Sequence, residues 1–300
     1  MTTSPLLAVN NLVKIYDSFK VVDGVSFTVP EGTCLGLLGP NGAGKTTTIE
    51  IIEGVSKPTS GDIFYRRKPR GSEFNEKIGI QFQDTALLSY LSVRETLETF
   101  RALYRQPLPM DELIALCHLE SFLPQINDKI SGGQKQRLLL ALAFINQPDL
   151  IFLDEPSTGL DPHARRDLWQ IVESIKDRGK TLVLTAHYME EAQTLCDDIV
   201  IMDHGRVIAH GPSEQLIARH CQGQRILVPK TRLTRPLKNF PFPFTERGAQ
   251  IEIHPQDLLS GIEFLVAQGL DLRDISVHAP NLEDVFIHLT GRKLRNGNAL

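Results

Sequence analysis

The segment Gly39-Pro-Asn-Gly-Ala-Gly-Lys-Thr46 constrains this chain more than any other. It fits G-x-x-x-x-G-K-[ST]. A short apolar run, Thr33 to Leu38, precedes it, and a helical stretch from Lys45 to about Glu53 follows. Glycines in such a loop let successive backbone N–H groups turn inward around an anion. The helix N-terminus behind them adds unpaired donors and a positive partial charge. Lys45 is placed to reach the β- and γ-phosphates, and Thr46 to ligate Mg²⁺ through its hydroxyl. A chance match in a chain of this length is about one in a hundred, and the strand–loop–helix setting lowers that further.

The surrounding pattern agrees. Apolar runs at Leu150–Leu153, Leu182–Thr185 and Ile199–Met202 alternate with helical stretches at Pro162–Lys176 and Met189–Leu195. Ile63–Tyr65 and Ile78–Phe82 read as further strands, and Leu7–Tyr16 and Val25–Val29 as weaker ones. Between Ser92 and Ile145 the character is helical: Val93, Leu97, Phe100 and Leu103 recur at helical spacing, followed by helices near Asp111–Leu119 and Ser131–Ile145. This predicts a mostly parallel α/β sheet with a helical insertion at about 85–146.

Leu150-Ile-Phe-Leu-Asp-Glu-Pro156 is an apolar strand ending in two carboxylates. Strand ends in a parallel sheet face the ligand crevice. Asp154 is therefore placed to hold Mg²⁺, and Glu155 to orient or deprotonate an attacking water. Ser131-Gly-Gly-Gln134 opens a helix with an S-x-x-Q capping box. Two glycines after the cap cost roughly 1 kcal/mol each in helix propensity. They are explained if another molecule approaches the backbone closely, which makes Ser131, Gly132, Gly133 and Gln134 a second anion-directed surface.

Composition narrows the classes. The hydrophobic fraction of 41% excludes wholesale disorder, and a net charge of −4 argues against a nucleic-acid partner. Cys34, Cys117, Cys196 and Cys221 form no C-x-x-C pair, so they read as scattered thiols rather than a zinc site. The longest apolar run, Leu138–Ile145, is far short of the roughly 20 residues of a membrane span. A boundary is expected within Gln222–Phe244, where four prolines and the unopposed basic residues Lys230, Arg232, Arg235 and Lys238 read as a solvated linker. The organisation expected is 1–222 as one domain and 223–300 as linker plus a small α+β domain.

In this order, GPNGAGKTT, ISGGQKQR and LIFLDEP resemble the ATP-binding subunit of an ABC transporter. The resemblance covers about Leu6 to Ala218. It implies a P-loop NTPase fold with a mostly parallel sheet, an antiparallel β subdomain and a helical insertion. It implies ATP and Mg²⁺ as ligands, and a head-to-tail dimer in which each ATP lies between one subunit's Gly39–Thr47 loop and the other's SGGQ helix. Pro40, Asn41, Gly42, Ala43, Gly44 and Thr47 are thereby nucleotide-binding residues. By the same resemblance Gln83 is a lid glutamine that senses Mg²⁺ and couples to a membrane subunit. His187 is a switch histidine on the γ-phosphate, Tyr16 stacks on adenine, and Ser157–Asp161 crosses between the two sites. Ile130 departs from the leucine usual before SGGQ. The tail Pro280–Gly291 is similar to subunits of drug, antibiotic and polysaccharide exporters, which implies separate transmembrane permease subunits and a peripheral place on the cytoplasmic face. The alternative is a soluble ATPase switch of the same fold. Its relatives carry a long coiled-coil insertion or two ATP-binding halves, and neither is present.

Overall fold

The computed structural model describes residues 5–83, 85–186, 188–221, 223–232 and 241–291. The chain divides into two compact units, the first running to Ser213 and the second starting at Glu214.

The first unit holds two sheets. β1 (Pro5–Tyr16) and β2 (Phe19–Pro30) form a long antiparallel hairpin. After β3 (Cys34–Leu38) and α1 (Lys45–Glu53), β4 (Ser60–Tyr65) pairs antiparallel with β1, and β5 (Lys68–Pro69) with β4. The order β2-β1-β4-β5 is the antiparallel β subdomain.

α2 (Ser72–Glu76) leads into β6 (Ile78–Gln81), the edge of the second sheet. α3 (Val93–Arg101), α4 (Met110–Leu116) and α5 (Gly132–Phe144) form the helical insertion. β7 (Leu150–Asp154), α6 (Pro162–Asp177), β8 (Thr181–Thr185), α7 (Met189–Leu195), β9 (Asp198–Asp203) and β10 (Arg206–Gly211) complete the unit. The order is β10-β9-β3-β8-β7-β6, parallel except for β10. Every residue of β3 and β8 is buried, as their continuous apolar sequences require of strands covered on both faces. The ends of β3, β7 and β8 therefore lie side by side, and the functional loops leave from them.

The helix ends follow local chemistry. α1 stops at Gly54, whose φ of 95° supplies the left-handed C-cap. α3 starts at a capping box made by Ser92 and Glu95. It ends at Arg101, short of Leu103, which is exposed; Pro107 and Pro109 follow close behind.

The second unit begins with α8 (Ser213–His220, of which Ser213 is the junction residue) and β11 (Arg225–Pro229). β12 (Phe244–Arg247), β13 (Gln250–Ile253) and β14 (Ser276–His278) join β11 in the antiparallel order β12-β13-β11-β14. α9 (Leu258–Ala267) and α10 (Leu282–Thr290) complete it. Ile226, Val228, Ile251, Ile253 and Leu265 make its core. Arg225 donates to the buried carboxylate of Glu252 at 3.0 Å and also pairs with Asp284. The stretch that composition marks as a linker thus opens with an interior strand. The alternation in Arg225–Pro229 is real, but the prolines beyond it dominate the local composition. Lys230 pairs with Glu246 and Arg232 with Asp274, so these two basic residues are opposed by acids from elsewhere in the unit. Arg235 and Lys238 lie outside the described residues.

β6 lies against α5 so closely that a Cβ on Gly79 would meet the Ala143 carbonyl oxygen at 1.9 Å. Gly79→Ala should therefore destabilise the chain by about 1–3 kcal/mol through overpacking, read as a lower Tm. An unchanged Tm would show that this contact does not set the spacing of β6 and α5.

Candidate active site

The loop after β3 lines a cavity of 470 Å³ together with Gln83, Glu155 and Thr158. Asn41, Gly42, Ala43, Gly44, Lys45, Thr46 and Thr47 all face it, as does Val21 from β2. The loop is seated against backbone on both sides. A Cβ on Gly39 would lie 2.4 Å from the Met202 carbonyl oxygen, and one on Gly44 would lie 2.5 Å from the Val21 carbonyl oxygen. Gly44 also holds φ 94° at the N-cap of α1, where it leaves the helix amides bare of a side-chain cap. Lys45 is buried and folds back over the loop, its Nζ donating to the Gly39 carbonyl at 2.8 Å and the Pro40 carbonyl at 3.2 Å. Burial lowers its pKa, while Glu155 and Asp154 oppose that shift.

The two acids at the end of β7 are held by β8. The Thr185 hydroxyl donates to Asp154 Oδ1 at 2.5 Å and accepts from the Glu155 N–H at 2.9 Å. The Thr185 carbonyl also accepts from that N–H at 3.1 Å. These bonds hold Glu155 at φ 47°, a left-handed backbone that a side chain other than glycine adopts only at a cost. Gln83 Nε2 donates to Glu155 Oε2 at 3.0 Å, and Thr158 Oγ1 donates to the same oxygen at 3.1 Å. Burial raises the pKa of Asp154, and the neighbouring Glu155 raises it further, against the Thr185 bond and Lys45.

Two crowded carboxylates beside an anion-binding loop call for a cation. Oxygen donors from Thr46, Asp154 and Gln83 suit Mg²⁺, which takes one or two protein ligands and completes its shell with phosphate and water. Among the described residues there is no cluster of three or more His, Cys, Asp or Glu that could hold a metal by itself. Such a shared site needs none.

The remaining sequence candidates lie elsewhere. Ser131 caps α5 as expected: its hydroxyl accepts from the Gln134 N–H at 3.3 Å, and its N–H donates to Gln134 Oε1 at 2.8 Å. None of Ser131–Gln134 lines the cavity. Their glycines divide in role. A Cβ on Gly133 would sit 2.9 Å from Ala164 Cβ, so packing against α6 already requires that glycine, whereas Gly132 is exposed. The close-approach argument therefore survives for Gly132 and is met from within the chain for Gly133. Tyr16 is 45% exposed, with its hydroxyl 3.4 Å from Ser56 Oγ and Lys14 Nζ over its ring. His187 lies outside the described residues. Thr185 and Thr158, which position both acids, were not singled out as site residues from the sequence. Thr185 sits where β8 ends, in register with Asp154 in the parallel ladder, and only that register exposes its role.

Residues 22–158 match the ABC transporter family. The chain is 36% identical over 314 residues to the "Nod factor export ATP-binding protein I" of Ralstonia nicotianae, covering 98% of this chain and 96% of that protein. Among solved structures it resembles the ADP conformation of an ATP-binding cassette of an ABC transporter, with a TM-score of 0.65 and 25% identity over 73% of this chain and 95% of the other. It also resembles a dimeric post-hydrolysis cassette bound to ADP and Pi, with a TM-score of 0.61 and 25% identity over 69% and 98%.

A further acid lies close by. Glu53, buried at the end of α1, has its pKa raised to about 7 by burial, then by Asp154 and Glu50. Its unfolded-state value is 4.5. The folded chain keeps this proton at pH values where the unfolded chain has lost it. Stability therefore falls as pH rises from 4.5 through about 7. Glu53→Gln should raise Tm at about pH 8, and the gain should vanish near pH 4. A pH-independent difference in thermal melts would refute the assignment.

Proposed function

The chain belongs to the ABC transporter family of ATP-binding proteins, and from that premise we propose that it hydrolyses ATP to drive a membrane exporter. The observation that carries the reading is the convergence of Gln83 and Thr158 on Glu155 Oε2, at the mouth of a glycine-rich phosphate loop. Export rests on the name of the relatives and on the tail resemblance.

The loop amides and Lys45 hold the triphosphate, and Lys45 exchanges its bonds to the Gly39 and Pro40 carbonyls for phosphate oxygens. Thr46, Asp154 and Gln83 would hold Mg²⁺, which when bound neutralises charge on the phosphates. With Oε2 occupied by two donors, Glu155 Oε1 takes the proton of the attacking water. The SGGQ helix start meets the nucleotide of a second copy. His187 and Tyr16 retain their proposed places at the γ-phosphate and the adenine. Binding energy closes the dimer, and hydrolysis reopens it.

Among the described residues no helix is long and apolar enough to cross a membrane. In the proposed reading, supported by the exporter name of its relatives, the chain works through separate transmembrane subunits at the cytoplasmic face. A groove of 740 Å³ in the helical insertion, lined by Tyr90, Arg94, Glu95, Leu123 and Ile126, supports a docking surface there. Tyr90 is 93% exposed, and Leu88, two positions before it, is also exposed.

Glu155→Gln should leave ATP binding intact and cut turnover by about 10²–10⁴-fold, roughly 3–5 kcal/mol in the barrier. Unchanged turnover would remove Glu155 as base. Affinity purification of the tagged chain from detergent-solubilised native membranes should bring down a stoichiometric polytopic partner. Tyr90→Glu combined with Ile126→Glu should lose that partner and keep basal ATPase activity. Recovery without any integral membrane protein, with or without ATP, would favour a soluble switch.

A further inference from the structure

Behind the catalytic loop lies a set of buried polar groups that the hydrolytic chemistry does not use. Glu191, on α7, is 1% exposed, and Ser157, two residues beyond Glu155 in the loop after β7, is 0% exposed. Trp169 on α6 donates its indole N–H to Glu191 Oε1 at 3.0 Å. The other carboxylate oxygen, Oε2, and the Ser157 hydroxyl are both sealed from solvent without a partner of hydrogen-bonding geometry. The Ser157 hydroxyl nevertheless lies near enough to act on the Glu191 carboxylate. Burial raises the Glu191 pKa to about 7, and the largest opposing influences are the Ser157 hydroxyl, then Trp169, then Arg165. One orphan is a donor and the other an acceptor, so a small shift of the loop pairs them and removes both desolvation costs. The next residue, Thr158, donates to Glu155 Oε2.

We infer that Glu191 is a positioning residue for hydrolysis: it captures the Ser157 hydroxyl when the loop takes its catalytic position, and through Thr158 it fixes the carboxylate of Glu155. The inference rests on the assignment of Glu155 as base. Glu191 never touches nucleotide or water; it acts two side chains away. Trp169 orients the Glu191 carboxylate so that Oε2 points at the loop. Arg165, whose guanidinium stacks 4.0 Å over the Tyr188 ring, supplies positive charge on the same side.

The test uses the full chain and steady-state ATPase kinetics alongside thermal melts. Ser157→Ala should lower kcat about 10-fold with KM for ATP essentially unchanged, because only the alignment of the base is lost. Glu191→Gln keeps an acceptor for the Trp169 N–H and turns an amide N–H toward the Ser157 hydroxyl, which can accept it, so it should stay within about threefold of wild type. Glu191→Ala should match Ser157→Ala, and the double variant should be no slower than either single one. Trp169→Phe leaves the Ser157 pairing available and should cost kcat less than Ser157→Ala does. Unchanged kcat in Ser157→Ala, or losses that multiply in the double variant, would overturn the inference. If Glu191→Ala does not fold, the comparison of Ser157→Ala with Trp169→Phe decides: an equal loss in both would mean packing rather than positioning. The base itself is tested separately by Glu155→Gln. A Glu155→Gln enzyme of normal turnover would remove the premise, whereas an inactive one beside a fully active Ser157→Ala would remove only the role of Glu191.

Discussion

Backbone pressed directly on backbone is the constraint from which the rest of this site follows. The phosphate loop is wedged between the start of β2 and the β9–β10 turn with no room for a side chain at Gly39, Gly44 or Gly205. Ala43 and Gly205 are joined by a hydrogen bond from the Gly205 N–H to the Ala43 carbonyl, and Asp23 donates to the Gly205 carbonyl. A loop that must point its amides at an anion cannot also satisfy them internally, so it would be costly as a free element. Here its outer side is clamped by two strands from different sheets, and only the inner side is left for ligand. Gly42 is the complement: a Cβ there meets nothing within 4 Å, yet its φ of 81° is one that a larger residue rarely adopts.

Charge is arranged on the same frame. Lys45, Asp154 and Glu155 are brought within range of one another by adjacent strand ends: the two acids raise the pKa of Lys45 against its burial, and Glu155 raises that of Asp154 while Lys45 lowers it. Taken alone, this cluster has more acids than bases, and burial together with Asp154 keeps the nearby Glu53 protonated up to about pH 7. Such a cluster suits a divalent cation, which Asp154 with Thr46 and Gln83 would hold on the proposed reading and which would supply neutralising charge there. Glu155 in addition carries backbone strain, held by its bonds to Thr185. The rigid part of the site is therefore the strand ladder, and the adjustable parts are the segments that touch Glu155 from outside it, Gln83 and Thr158.

Much of this was legible in the residues. α1 and α7 match the helices read from the sequence, because a glycine loop or an apolar strand abuts each and fixes its start. The buried strands β3, β7, β8 and β9 were readable for the same reason. β10 was not: its residues alternate between half-buried and exposed, so it shows no apolar run. β11 was masked by the prolines that follow it. Cross-element bonds were out of reach altogether. Thr185 holds Asp154 only through the parallel register, and Gln81 donates to Gln136 at 2.6 Å only because β6 packs on α5. Gly133 shows the opposite case, in which a residue read as open to a ligand is required by the Cβ of Ala164. Sequence patterns report periodicity and local turn chemistry; they do not report which side chain faces which across a sheet or between helices.

The Gln81–Gln136 bond also bears on how two half-sites communicate. Gln81 precedes Gln83 by two positions and is buried, and Gln136 lies one turn into the helix opened by Ser131. The phosphate loop cavity and the SGGQ surface are thus separate in space yet joined through β6 and α5, which the Gly79 contact holds at fixed spacing. On the proposed reading, each of these surfaces completes a nucleotide site with its counterpart in a second copy. A displacement of α5 on meeting the partner's nucleotide would then pull on the root of Gln83, and Gln83 is one of the two donors that hold Glu155. On the inferred pairing, the second donor, Thr158, would be tied through Ser157 to Glu191. Occupancy of one half-site could in this way tune the base of the other through side chains of a single chain. Such coupling requires both anion-directed surfaces to be carried by the same polypeptide, and this chain carries both.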